Sequence, residues 1–304
     1  MTPCDRLLDY IGRRHPRSLK GVLESRDVSP GTFECCANTY LTWAEGALGD
    51  HAIERTCDAF ARFSNEVNFA QARYERMGRY ESSSYAECRQ AVYDHPERMT
   101  DYLWGVYLTN FLWAHHLGLM EFFERGFVSR LKPEARVVEL APGHGGWGLW
   151  ALHRVPQTHL QGFDISASSI AIANALSRAA GLADRTHYVQ LDALSLLQAS
   201  SPQANACICC FLIEHLEEPS RLLQTLAHVL EPGGMAFLTG ALTAAQVDHI
   251  YEFRRESELV TMAEDAGFRV LETLSVTPTR LLPNARFTPR SMALLLKKRR
   301  ADVW

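Results

Sequence analysis

From residue 135 onward the sequence predicts an α/β fold: a doubly wound sheet of seven strands with an antiparallel last strand, behind an N-terminal cap that is all helix. Three observations predict it. Short apolar runs alternate with segments of helical period from Ala135 to the end. Residues 1–132 carry apolar positions at helical spacing but no alternating strand pattern. A glycine-rich turn, Gly143 to Gly148, joins the first apolar run to the first helix behind it.

In the N-terminal region, Thr39 to Phe60 and Ala61 to Arg79 read as helices, broken near Gly46-Ala47-Leu48-Gly49 and at Gly78. Helix signals return at Ser84 to Tyr93. Thr100 is placed to cap a long helix from Asp101 to Leu117, with Gly118 behind it. Leu103, Tyr107, Asn110, Ala114 and Leu117 would then share one face. The chain divides on this reading into a cap and substrate region, 1–132, and a cofactor-binding domain, 133–304.

The second region supplies strands at Arg136 to Leu140, His159 to Phe163, His187 to Gln190, Ala206 to Ile213 and Met235 to Thr239. The fourth is the most apolar, as a central parallel strand should be. Ser166 can cap the helix after the second strand, and Pro219 opens the one after the fourth. A helix around Ser257 to Ala266 precedes a closing pair, Phe268 to Thr277 with Ser291 to Lys297. Strands that alternate with helices imply right-handed crossovers.

Composition narrows the function classes. A net charge of −4 offers no general attraction to nucleic acid or anionic lipid. The terminal run Lys297-Lys298-Arg299-Arg300 reads as a solvated tail. Tyr102 to Phe123 is apolar but interrupted by Asn110, His115, His116 and Glu121, a poor membrane span. The eight cysteines include no C-x-x-C pair, so no metal site is expected, and free thiols in a cytoplasmic protein are the simplest account. The expected partner is a small molecule, with neither nucleic acid nor membrane, and a homodimer is left open.

Gly143-His144-Gly145-Gly146-Trp147-Gly148 satisfies G-x-G-x-x-G. Such glycines let the backbone approach a ligand, and the next helix supplies free N–H donors. Asp164, 21 residues after Gly143, ends the second strand, where a carboxylate can accept ribose hydroxyls. A nicotinamide dinucleotide and S-adenosylmethionine both suit these facts. Four further features separate them. Glu139, four residues before Gly143, would attract the ammonium of a methionine group but repel pyrophosphate. Asp192 ends the third strand, placed to accept from an adenine amine, with the Ala193 N–H beside it. Phe211-Leu212-Ile213-Glu214-His215 follows the fourth strand, ahead of Pro232-Gly233-Gly234. The closing antiparallel pair is the fourth.

As an ordered set, these segments resemble the Rossmann-like class I S-adenosylmethionine-dependent methyltransferases, over Ala135 to Lys298. The resemblance implies that Glu139, Ala141, Pro142, Gly143, His144 and Gly145 hold the methionine end. It gives Asp164 and Ile165 the ribose, Asp192 and Ala193 the adenine, and Phe211 and Leu212 the pocket wall. His144 and Trp147 depart from the smaller residues usual in that loop.

Substrate choice falls to whatever covers the carboxyl ends of the strands: the cap, and the segment Gly240 to Phe253 with its Asp248-His249-Ile250-Tyr251 patch. Methyl transfer requires a nucleophile aligned behind the sulfonium carbon, and a base for amine, hydroxyl or enol acceptors. His249 and His215, with His115 as a further base, and Tyr107 with Asn110 on the aromatic helix are the candidate catalytic residues. The leading reading is methyl transfer to a small molecule in natural-product biosynthesis. A second is cyclisation of S-adenosylmethionine to azetidine-2-carboxylate with loss of methylthioadenosine, as in capped enzymes of similar layout. A third is a cofactor-binding pseudoenzyme.

Overall fold

Prolines set the starts of four cap helices. Pro3, Pro16, Pro30 and Pro96 each stand in a first turn, where a missing N–H leaves no bond unmade. They open α1 (Pro3–Arg14), α2 (Pro16–Val28), α3 (Pro30–Leu48) and α6 (Pro96–Leu112). Between them lie α4 (Ala52–Met77), which Gly78 ends in the left-handed region at φ 73°, and the short α5 (Tyr85–Cys88). The last cap helix is α7 (Ala114–Phe122). These coordinates are a computed structural model that describes residues 1–93, 95–198, 203–281 and 283–300.

The single helix expected over Asp101 to Leu117 is two. α6 starts earlier, on Pro96 and not under Thr100, and ends at Leu112 because Trp113 is extended at φ −99°, ψ 122°. The break lets the Trp113 ring stack between Phe63 and His115, with ring centres 5.6 and 5.3 Å away. Ala114 and Leu117 therefore belong to α7 and do not continue the face of Leu103 and Asn110. α6 crosses α4 closely at Gly105, where a β-carbon would lie 2.7 Å from Phe63 Cβ and 2.9 Å from the Ala59 carbonyl oxygen.

The sheet holds β1 (Arg136–Leu140), β2 (His159–Asp164), β3 (Thr186–Gln190), β4 (Ala204–Cys210), β5 (Leu230–Leu242), β6 (Phe268–Val276) and β7 (Arg290–Lys298). Their order is β3-β2-β1-β4-β5-β7-β6. β1 to β5 pair in parallel, and β7 runs antiparallel between β5 and β6, as the sequence predicts. Two ends differ from expectation. β4 stops at Cys210, because Phe211 enters the left-handed region at φ 53° and Ile213–His215 forms a 3-10 turn. β5 begins at Leu230, which pairs with Ala204 before the Pro232-Gly233 turn. Nor are Lys297 and Lys298 a tail: both lie in β7, and Lys298 Nζ donates to the Leu230 carbonyl at 2.6 Å.

One face of the sheet carries α8 (Gly146–Arg154), α9 (Ala167–Ala179) and the cap. Their core is continuous: Tyr40, Phe111 and Phe123 of the cap cluster with Trp147, Phe237 and Leu295. The other face is covered by α10 (Pro219–Val229) and α11 (Glu256–Asp265), with Leu222, Leu226 and Leu259 against Val138, Cys207 and Leu238. Cap and sheet therefore share one apolar core, whose burial at roughly 25 cal/mol per Å² holds them together. No helix among the described residues is long and apolar enough to cross a membrane. Six of the cysteines are buried, and all eight are free thiols.

α9 begins as the sequence predicts, with the Ser166 hydroxyl accepting from the Ser169 N–H at 3.2 Å. Ser166→Ala should cost about 1 kcal/mol, read as a fall in Tm of roughly 2–4 °C. An unchanged Tm would mean that water replaces the cap without loss.

Candidate active site

Three strand ends carry backbone strain. Ala141 after β1, Phe211 after β4 and Thr243 after β5 all have positive φ, at 49°, 53° and 47°. Non-glycine residues there cost of order 1–3 kcal/mol each, and such costs gather at functional sites. Ala141 and Phe211 both open onto a cavity of about 530 Å³ at the carboxyl edge of the sheet.

Glu139 stands in the floor of this cavity, 2% exposed. Its Oε1 accepts from the Gly148 N–H at 3.1 Å, while Oε2 has no partner. Burial raises its carboxyl from 4.5 to about 8. A β-carbon on Gly148 would lie 2.2 Å from that Oε2, so only glycine fits there. Gly143 and Gly145 both use the left-handed region, at φ 57° and 76°. Gly143 lines the cavity with Ala141, Pro142 and His144, whereas Gly145 is turned away, against the Tyr188 hydroxyl and Ala173. His144 is explained by the cap. Its ring meets Tyr107 edge-on at 5.1 Å, and its Nδ1 accepts from the Gly146 N–H at 2.9 Å. Burial lowers it to about 3, so it stays neutral. Trp147 packs into the core against Phe123 and Phe237.

Asp164 is tied to the loop on both sides: Oδ2 accepts from the Gly143 N–H at 3.0 Å and Oδ1 from the Ser166 N–H at 2.8 Å. Desolvation nevertheless raises its carboxyl above the ordinary value. Ile165, Asp192 and Ala193 line the same wall, with Asp192 Oδ1 accepting from the Leu194 N–H at 2.9 Å. Phe211, Leu212 and His215 form the opposite wall.

A second cavity, about 540 Å³, lies between this wall and the cap. The two cavities share Tyr102, Val106, Thr109, Phe211 and His215. His249 and Glu214 line the second, both buried. His249 Nδ1 meets the Ala244 carbonyl at 2.7 Å, and burial lowers its imidazole to about 3. Burial also raises Glu214 to about 7, and its carboxylate has no side-chain partner. His115 lines this cavity too, lowered to about 4 by burial.

The four catalytic candidates are thus divided. Asn110 and His215 reach the first cavity, and His215 and His249 the second. Tyr107 reaches neither: its hydroxyl donates to the Tyr40 carbonyl at 2.8 Å, and its ring is fully buried in the cap core. α6 meets the first cavity through Met99, Tyr102, Leu103, Val106, Thr109 and Asn110. The expected face thus reaches the cavity at Leu103 and Asn110, while Tyr102, Val106 and Thr109 are additions to it. Tyr93 was also missed; it lines the first cavity and donates to Asp248 Oδ2 at 3.1 Å. A three-four spacing centred on Val106 was the available signal, obscured by the equally regular aromatic face of Trp104, Tyr107 and Phe111.

Residues 137–234 match the family model of a methyltransferase domain. An uncharacterized protein of Synechococcus sp. is 29% identical over 119 residues, which are 38% of this chain and 28% of that protein. The chain therefore spans little more than a quarter of that relative. Among solved structures, an O-methyltransferase family protein from Burkholderia thailandensis superposes with a TM-score of 0.56 at 16% identity. The match covers 80% of this chain and 72% of that one. A candidate sarcosine dimethylglycine methyltransferase from Galdieria sulphuraria gives 0.51 at 14% identity, over 60% and 86%. Identities this low speak for a shared fold alone.

Proposed function

We propose, from the premise that residues 137–234 form a methyltransferase domain of class I, S-adenosylmethionine-dependent type, that this chain transfers the methyl group of that cofactor to a small molecule. One observation carries the reading. The first cavity shares the wall of Tyr102, Val106, Thr109, Phe211 and His215 with a second of similar volume that the cap borders, so an acceptor has room next to the cofactor.

The first cavity suits S-adenosylmethionine residue by residue. The unpartnered Glu139 Oε2 would take the ammonium, Asp164 and the Gly143 turn the ribose, and Asp192 the adenine amine. When bound, the cofactor supplies an activated methyl group. The chain's own residues then align the acceptor and exclude water, for which a closed cap is the simplest device. Where the acceptor must lose a proton, His249 and His215 stand at the second cavity. Burial that lowers the His249 imidazole to about 3 makes it a weak base, so the proton falls rather to His215, which lines both cavities. The mixed polar and aromatic lining of this cavity, with Gln71, Gln246 and His115 beside Phe60, Phe63 and Trp113, fits a small organic acceptor of the kind met in natural-product biosynthesis.

Incubation of the purified chain with S-adenosylmethionine alone tests this. The expected result is no turnover until an acceptor is added, then S-adenosylhomocysteine. Release of methylthioadenosine without an acceptor would overturn it in favour of cyclisation. Tight cofactor binding with no product from a broad acceptor panel would favour the pseudoenzyme. Separately, Asp192→Ala should weaken cofactor binding about tenfold, the worth of one charge-assisted hydrogen bond, as measured by calorimetry. Unchanged affinity would reduce Asp192 to the cap of its own turn.

A further inference from the structure

We propose that Glu214, His215 and His249 form a binding site for a divalent transition-metal ion in the wall of the second cavity. Nothing in the linear sequence announces the site, since Glu214-His215 and His249 come from different loops, after β4 and after β5. The fold brings one ligand atom from each within 4.8 Å of the other two.

The hydrogen bonding around the three residues prepares them as ligands. His215 Nδ1 lies 2.9 Å from the Asp248 backbone carbonyl, and His249 Nδ1 lies 2.7 Å from that of Ala244. A carbonyl only accepts, so both Nδ1 atoms carry the proton and both Nε2 atoms keep a free lone pair. The Tyr93 hydroxyl is farther from His215 Nδ1, at 3.4 Å, and gives its proton to Asp248 Oδ2. Imidazoles held at Nδ1 by a backbone carbonyl, which leaves Nε2 as the ligand atom, are a usual supporting arrangement of metal-bound histidine. The rings lie edge to face, with centres 4.8 Å apart.

Glu214 supplies the independent observation. Its side chain is fully buried and lines the cavity, and its carboxylate has no side-chain partner, only weak contact with the Glu214 and Ala241 backbone N–H groups. A buried carboxylate left in that state is costly, and a cation is the partner that removes the cost. No lysine or arginine in the described structure pairs with it. Its backbone carbonyl accepts from the Ile250 and Tyr251 N–H groups at 2.8 and 2.9 Å, which locks the two loops together and fixes the spacing of the ligands.

Two imidazole nitrogens and one carboxylate favour zinc, iron(II), cobalt(II) or manganese(II) over magnesium or calcium, which prefer all-oxygen sets. Bonds of about 2.0–2.2 Å bring tetrahedral ligand atoms within roughly 3.5 Å of one another. Closure of about an ångström from the present spacing is within reach of side-chain rotation. The remaining positions on the ion would face the cavity. A bound ion would engage both Nε2 lone pairs and leave neither His215 nor His249 to act as a base, so the site replaces the base role proposed above, whichever group the cofactor transfers.

The test uses the full chain, stripped with chelator and titrated with cobalt(II) and, in parallel, with zinc by calorimetry. Expected are visible d–d bands of a low-symmetry cobalt site, one ion bound per chain and a rise in Tm with zinc. Glu214→Gln and His249→Gln should each weaken binding by about 100-fold or more, above the roughly 10- to 100-fold typical of outer-sphere partners. His51→Gln, at an exposed imidazole, should leave binding unchanged. Absence of saturable binding in the wild type overturns the site. Wild-type affinity in both folded variants overturns it equally, and should one variant fail to fold, the other decides.

Discussion

Glu139→Gln should weaken S-adenosylmethionine binding by about 10- to 100-fold at pH 8, the range expected for a hydrogen bond to a charged group. It should also abolish most of the pH dependence of that binding. The glutamine oxygen can still accept from the Gly148 N–H, so the loop keeps its geometry and only the charge is lost. In the wild type, burial holds the carboxyl at about 8, so it is largely protonated at neutral pH before the ligand arrives. An incoming ammonium favours the ionised form and releases that proton. Affinity should therefore climb with pH between 6 and 8, approaching tenfold per unit at the acid end.

The same group predicts the opposite trend for the ligand-free chain. Its folded value lies above the ordinary 4.5, so its contribution to stability is full below about 4.5 and is lost as pH rises to about 8. Glu214, raised to about 7, acts in the same direction over a lower window. Tm of the free chain should fall across this range, and Glu139→Gln should lower the slope throughout, halving the pair's contribution below 7 and removing it between 7 and 8. Equal cofactor affinity and equal pH slopes in the two proteins would remove Glu139 from the binding site.

What the sequence discloses about such a site depends on how far apart the participating residues are. β1, its glycine turn, Asp164 and Asp192 are readable because each motif is local: a strand ends, a carboxylate follows, a helix begins. The doubly wound sheet follows from the alternation of these units and the antiparallel β7 from the closing strand pair, whereas the strand order is set by which edge each crossover takes. Backbone strain is not readable in that way, since Ala141 and Phe211 have ordinary side chains and adopt positive φ only because the sheet edge demands it. The cap is legible as helices but not as a surface. Tyr107 and Val106 are neighbours in sequence, yet one is bound to Tyr40 in the core and the other faces both cavities. Which of two amphipathic faces turns inward was decided by the Trp113 break and by the packing of α4, both tertiary effects. Glu214 and His249 are a third case, joined only by the crossing of two loops.

That packing carries the second large effect. Gly105→Leu, or even Gly105→Ala, should disable the chain although no atom of Gly105 lines either cavity. The added β-carbon would meet Phe63 Cβ at 2.7 Å and the Ala59 carbonyl oxygen at 2.9 Å, and neither is the movable end of a side chain. Carbon atoms need about 3.5–4.0 Å, so α4 and α6 must separate by roughly an ångström. Overpacking of this kind costs about 1–3 kcal/mol, or at least several degrees in Tm. The functional loss should be larger, because α6 carries Tyr102, Val106, Thr109 and Asn110, the wall common to cofactor and acceptor. A displacement near 1 Å there can lower turnover about 100-fold. Gly12→Ala is the matched control: it sits in α1, lines neither cavity, and its new β-carbon would meet only Leu19 Cδ2 at an ordinary 3.7 Å, so it should be neutral or stabilising by about 0.5–1 kcal/mol. Should Gly105→Ala keep wild-type Tm and cofactor affinity, the α4–α6 contact would be slack enough to take a β-carbon; loss of both makes α6 a wall of the site, fixed by one missing methyl group.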